Sequence, residues 1–152
     1  MIFSTICCAS SETPRRHAIR NTSVSRSEVT ERESRIALGT QDEGVEWVAN
    51  TLMEKTNTRN LVMKLGGEGF ISYESKSDGF INRQHFPALS VNPVDVAGAG
   101  DSLLAALSVG LCSGATLMES SAIGAGMASL AVKQIGNIPI SNTELKNYLR
   151  EI

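Results

Sequence analysis

The chain has 152 residues, 41% of them hydrophobic and 20% charged, with 14 basic against 16 acidic side chains for a net charge of −2. That length supports one hydrophobic core, the composition is that of a water-soluble globular protein, and the near-neutral charge offers nothing to attract a nucleic-acid backbone. Charged or polar residues interrupt every apolar run well before the roughly 20 residues needed to cross a bilayer, so neither nucleic acid nor membrane is an expected partner, and a cytoplasmic location is the expectation.

Residues 1–27 stand apart: they hold Arg15, Arg16, Arg20 and Arg26 against the acid Glu12, are rich in Ser and Thr, and show no sustained periodicity. An acid-poor, Arg- and Ser-rich leader has the composition of an organelle transit peptide. An irregular N-terminus outside the domain is the plainer reading, with "IFSTICC" as the remnant of a buried strand a third. The expected organisation is therefore a leader over 1–27 and a folded domain over 28–152. Cys7 and Cys8 are adjacent and Cys112 sits in an apolar helical pattern, which is neither a disulfide framework nor a CxxC metal spacing; buried or incidental thiols are expected.

"TERESRIALG" opens with Thr30 and Glu33 at capping-box spacing and closes on Gly39, which predicts a short helix. "TQDEGVEWVANTLMEKT" repeats the opening with Thr40 and Glu43, then sets Val45, Val48, Ala49 and Leu52 on one face of a second helix. "NLVMKL", bounded by Asn and Gly, reads as a buried strand over 60–65. "GGEG" turns it into "FISYES", and Asp78-Gly79 turns that into "FINRQHF", a hairpin signal that Pro87 ends. From Asp101 the pattern is helical, first over 101–112 with Leu103, Leu104, Leu107 and Leu111. A second helix over 116–134 mixes Ile123, Met127, Leu130 and Ala131 with small residues at 124, 126 and 128. Ser141 and Glu144 then open a terminal helix. That order predicts an α/β layer architecture around a buried sheet.

The stretch "DVAGAGDSLLAAL" carries the chemistry. A helix N-terminus exposes unpaired N–H groups and partial positive charge, and the small residues Gly98, Ala99 and Gly100 let an anion approach that backbone. A carboxylate at such a mouth makes chemical sense in phosphoryl transfer to a hydroxyl: the N–H groups hold the transferring phosphate while Asp101 orients and deprotonates the alcohol. Asp101 as a plain N-cap or first-turn acid is the alternative. Neither a GxxxxGK[ST] loop nor a GxGxxG loop is present.

The stretch "DVAGAGDSLLAALSVG" closely resembles the C-terminal signature of the PfkB, or ribokinase-like, family of carbohydrate kinases. "NLVMKLGGEGFISY" resembles the family's strand and nucleotide-side glycine turn, and "AIGAGMASLAVKQIGNIPIS" its late helix and the loop flanking the adenine. The resemblance covers roughly residues 28–152 and implies a three-layer α/β/α ribokinase-like fold. It also implies ATP and Mg²⁺, with K⁺ in potassium-dependent relatives, and a sugar or sugar phosphate as acceptor. By the resemblance, Asp101 matches the catalytic base, and Gly98, Ala99 and Gly100 the anion hole. Asp95 matches an acid that helps hold a monovalent cation, and Gly66 and Gly69 the nucleotide-side turn. Glu33 matches the glutamate of an Asn-x-x-Glu motif that orders water around Mg²⁺. The Asn of that motif is Thr30 here, so the capping-box reading of Glu33 stands beside the Mg²⁺ reading. The family's sugar pocket and strand lid come from an N-terminal half with no counterpart in this chain, so only the C-terminal portion of the fold is expected, N-terminal half and lid missing.

Two function classes follow. The first is an ATP-dependent sugar kinase, with "NPVDVAGAGDSLLAAL" and "VKQIGNIP" resembling heptose kinases of lipopolysaccharide precursor synthesis more than ribokinases or fructokinases. The second is a catalytically silent nucleotide-binding fragment or partner-binding module, whose uncovered apolar surface would favour a homo-oligomer. Lys64 is expected to snorkel from its strand end rather than to meet a phosphate. His17 and His85 have no metal-ligand partners at useful spacing, and Trp47 is expected at the margin of its helix's apolar stripe.

Overall fold

The structure, a computed structural model, describes residues 26–90, 92–136 and 138–152; the leader readings over 1–25, Cys7, Cys8 and His17 lie outside them, whereas Arg26 and Ser27, read as the end of the leader, open β1. A four-stranded sheet in the order β1-β2-β3-β4 is built from β1 (Arg26–Thr30), β2 (Asn60–Lys64), β3 (Phe70–Ser75) and β4 (Ile81–Phe86). β1 runs parallel to β2, with Thr30 opposite Lys64, and the other pairings are antiparallel. β1 has no counterpart in the expected order of elements. "RSEVT" has one large apolar residue in five, too weak a pattern for a strand; pairing with β2 makes it one.

The crossover from β1 to β2 carries α1 (Glu31–Leu38) and α2 (Val45–Thr56). α1 starts and stops as expected: Thr30 and Glu33 form a reciprocal capping box, and Gly39 ends the helix in the left-handed region at φ 68°. The start expected for α2 is wrong, however, since its N-cap is Gly44 and not Thr40. The physical reason is Arg35, whose Nη1 donates to the carbonyls of Gln41 and Glu43 at 3.2 and 2.7 Å and holds 40–43 as a turn. The Asp78-Gly79 turn forms as expected, with the Phe80 N–H donating to Asp78 Oδ1.

The strand period of two sorts β2 and β3 onto opposite faces. On one face Leu61, Met63, Ile71 and Tyr73 pack against Val48, Ala49, Leu52 and Met53 of α2. On the other, Val62, Phe70 and Phe86 pack against Leu103 and Leu107 of α3 (Ala99–Cys112) and Leu117 and Ala125 of α4 (Leu117–Ala131). The layers are therefore α/β/α, as the sequence predicts. Each fully buried aliphatic side chain contributes about 1.5–3 kcal/mol, so both faces hold the sheet.

The α3–α4 seam is tight: a Cβ on Gly110 would stand 2.6 Å from Ser120 Oγ, and one on Gly124 2.6 Å from Leu103. Between β3 and α4, the hydroxyls of Ser72 and Ser121 pair at 2.7 Å. α5 (Asn142–Glu151) opens on the expected Ser141–Glu144 box and lays Leu145 and Leu149 against Gly126. The capping box of α4, Thr116 with Glu119, was not foreseen. Cys112 is the last residue of α3. No helix among the described residues is long and apolar enough to cross a membrane.

Candidate active site

Thr30 and Lys64 end β1 and β2 side by side, so the chain leaves two parallel strands at one edge of the sheet. Ligands of α/β sheets gather outside such carboxyl ends. The N-terminus of α3 comes to the same edge, close enough that a Cβ on Gly100 would stand 3.2 Å from Lys64 Nζ.

α3 begins earlier than expected. Gly98 is its N-cap, left-handed at φ 78° and without a side-chain hydrogen bond, so Ala99, Gly100 and Asp101 form the first turn. A left-handed N-cap suits glycine; the Ala99 N–H donates to the Val96 carbonyl at 3.4 Å, and a cap that brings no side-chain oxygen leaves the Gly100 and Asp101 amides for another acceptor. Asp101 is a first-turn acid, not the N-cap, and it is exposed. An anion fits this end of the helix, with Asp101 at its rim.

Asp95 lies in the loop leading to α3. One carboxylate oxygen accepts the Ala97 N–H at 2.9 Å and the other the Gly136 N–H at 3.1 Å. The Val94 N–H donates to the Val132 carbonyl at 2.7 Å, so the loop before α3 and the loop after α4 are clasped together. The backbone bonds from Ala97 and Gly136 hold the Asp95 carboxyl below its ordinary value. Asp95 is thus a clasp in the first instance. Its two oxygens keep lone pairs, so a monovalent cation is compatible with it.

Glu33 is committed to its cap: Oε2 accepts the Thr30 N–H at 2.8 Å and the Thr30 hydroxyl at 2.7 Å. Those two bonds, with a smaller contribution from Lys64, hold its carboxyl below the ordinary range. Among the described residues no group of three or more His, Cys, Asp or Glu side chains could hold a metal ion. Glu33, the carboxylate that the resemblance assigns to Mg²⁺, is spent on this cap.

The expected glycine pair divides in two. Gly66, at φ 64°, has open space where a Cβ would be. Gly69, at φ 93°, would drive a Cβ to 2.1 Å from the Phe86 carbonyl oxygen and 2.7 Å from the Ala88 nitrogen, so it is needed by the fold whatever it does for a ligand. Lys64 departs further from expectation: its Nζ lies 3.1 Å from Oε1 of Glu28, whose side chain is 5% exposed. Glu28 escaped the sequence reading because β1 did; a glutamate two residues before the end of a parallel strand was its only signal. His85 Nε2 sits 2.9 Å from the Glu68 carbonyl oxygen, a turn contact, and Trp47 is half-exposed as expected.

The sequence profile described as pfkB family carbohydrate kinase matches residues 10–144. Among curated proteins, the chain is 31% identical over 115 residues to "Bifunctional protein HldE" of Geotalea uraniireducens, covering 76% of this chain and 22% of that protein. It is 42% identical over 65 residues to the HldE of Azorhizobium caulinodans, covering 43% and 14%. Among solved structures, ribokinase of Thermotoga maritima superposes with a TM-score of 0.71 at 26% identity, covering 84% of this chain and 43% of that one. Arabidopsis thaliana ribokinase complexed with ribose and ATP gives 0.70 at 24% identity, with 84% and 41% covered. Escherichia coli phosphofructokinase-2 in complex with potassium gives 0.71 at 20% identity, with 83% and 40% covered. The chain thus spans less than a quarter of those curated relatives and less than half of those solved kinases.

Proposed function

The chain belongs to the pfkB family of carbohydrate kinases, and we propose that it carries the catalytic edge of an ATP-dependent kinase that phosphorylates a hydroxyl of a sugar or sugar phosphate. The observation that carries this is the start of α3: a left-handed Gly98 with no side-chain cap, Gly100 next to an ammonium, and Asp101 exposed in the first turn. The first-turn amides of Gly100 and Asp101 face the transferring phosphate and stabilise the charge that grows on it, while the Ala99 N–H donates to the Val96 carbonyl. Asp101 orients the acceptor hydroxyl and receives its proton. The clasp from Asp95 to Gly136 holds the two loops that border this helix end, and Gly66 leaves room on the nucleotide side.

Mg²⁺, when bound with the nucleotide, neutralises phosphate charge; Glu33 would meet it through water. A heptose phosphate is the first acceptor to try, on the sequence resemblance and on the HldE relatives. A second reading, a nucleotide-binding piece that is silent without further chain, is favoured by the share of its relatives that the chain spans.

Asp101→Asn tests the assignment. The purified chain should bind ATP·Mg²⁺ in a calorimetric titration, and a coupled assay over a panel of sugars and sugar phosphates should find an acceptor. The variant should keep nucleotide affinity and lose roughly 10²–10⁴-fold in turnover. Equal turnover removes Asp101 as base; nucleotide binding without turnover on any acceptor favours the second reading.

A further inference from the structure

Three hydrogen bonds join the loop before α3 to the chain leaving α4. The Val132 carbonyl accepts the Val94 N–H at 2.7 Å and the Asp95 N–H at 3.3 Å, and the Gly136 N–H donates to the Asp95 carboxylate at 3.1 Å. All three depend on the course of the chain from Val132 to Gly136. Lys133, Ile135 and Gly136 are exposed, so core packing does not set that course.

Tyr148 of α5 grips this stretch on both sides of Val132. Its hydroxyl pairs at 2.8 Å with that of Ser129, a buried residue in the last turn of α4. The Lys133 ammonium, on the other side, stands 4.3 Å from the centre of its ring. A hydroxyl pair and a cation–π contact thus bracket the carbonyl that receives Val94 and Asp95, and each is a modest interaction. α5 is itself firmly seated, since Leu149 lies so close to Gly126 that a Cβ there would stand 2.8 Å from it. A side chain that merely filled space between α4 and α5 would need neither polar contact.

We propose that Tyr148 is a positioning residue of the kinase site: from α5 it fixes the chain leaving α4, and through the Asp95 clasp it fixes the approach to the α3 N-terminus. The functional consequence rests on the kinase reading above. The terminal helix is then a strut for the site, although no residue of α5 borders it.

The test is amide hydrogen exchange, followed by NMR, on the full chain and three variants. Tyr148→Phe keeps the ring beneath Lys133 and loses the Ser129 contact, Lys133→Met does the reverse, and Tyr148→Leu loses both. Exchange at Val94 and Gly136 is expected to quicken roughly two- to fivefold in the first two variants and roughly tenfold in the third, with β2 unchanged. Calorimetric affinity for the β,γ-imido analogue of ATP with Mg²⁺ should fall in the same order, by roughly three- to tenfold in Tyr148→Leu. If exchange quickens only within α5, or equally in β2, Tyr148 serves packing alone and the proposal is overturned. Faster exchange at Val94 and Gly136 with unchanged analogue affinity overturns it too, and leaves the kinase reading standing. If the folded parent chain binds no analogue while the amides respond as expected, the kinase reading falls and the hold of Tyr148 on the clasp stands. Should Tyr148→Leu fail to fold, Tyr148→Phe and Lys133→Met carry the same comparison.

Discussion

Gly66 and Gly69 share a motif and a positive φ, yet a methyl group would meet open space at one and backbone at the other. Gly69→Ala is expected to cost about 3 kcal/mol or more, because neither the Phe86 carbonyl nor the chain after it can yield cheaply. Gly66→Ala should cost only the left-handed conformational penalty, about 1–2 kcal/mol. Urea midpoints of the two variants check the contrast; equal losses would mean that the turn relaxes away from β4. The same residue-level distinction runs through the site. Asp95 and Glu33 use their carboxylates on backbone amides, whereas Asp101 stands exposed at its helix end.

At the scale of elements, α1, α4 and α5 each open on a capping box built from a Thr or Ser and a Glu. The hydrogen bonds of Thr30, Thr116 and Ser141 hold Glu33, Glu119 and Glu144 below their ordinary value of 4.5. A carboxylate depressed in the folded state stabilises it fully above the ordinary value, and that contribution is lost as pH falls through the folded value. Stability should therefore decline on acidification below pH 4.5, and a variant with Gln at 33, 119 and 144 should show a shallower decline in Tm against pH. An identical slope would assign the acid sensitivity to other groups. These boxes were readable where a helix pattern followed at once, as in "TERE" and "SNTE". "TQDE" has the same letters and forms no box, because Arg35 ties its carbonyls from α1, a contact between elements that spacing cannot report.

In the whole molecule, β2 and β3 contribute alternate residues to both apolar layers, so neither layer can melt without exposing the other. Leu107, fully buried on the sheet-facing side of α3, lies across the sheet from α2, which carries Trp47, the one tryptophan. Leu107→Ala should destabilise by about 2–5 kcal/mol and shift the Trp47 fluorescence transition together with the loss of helical circular dichroism. A fluorescence transition that stays put while the dichroism shifts would mean two separately melting layers.

The sequence by itself determined the elements from α1 onward, apart from where α2 and α3 begin, because those signals are local. A capping box, an apolar stripe, an Asp-Gly turn and a run of small residues before an acid each act over a few neighbouring residues. It determined the family as well, through the "DVAGAGD" stretch and the glycine turn. Only the tertiary structure decided what depends on residues far apart in the chain: that "RSEVT" is a strand, that Gly69 guards the backbone of β4, that Asp95 clasps a loop 41 residues later, and that Lys64 is turned by Glu28 toward Gly100. Those outcomes follow from parallel pairing and cross-layer packing, which bring together groups whose proximity no window of the sequence contains.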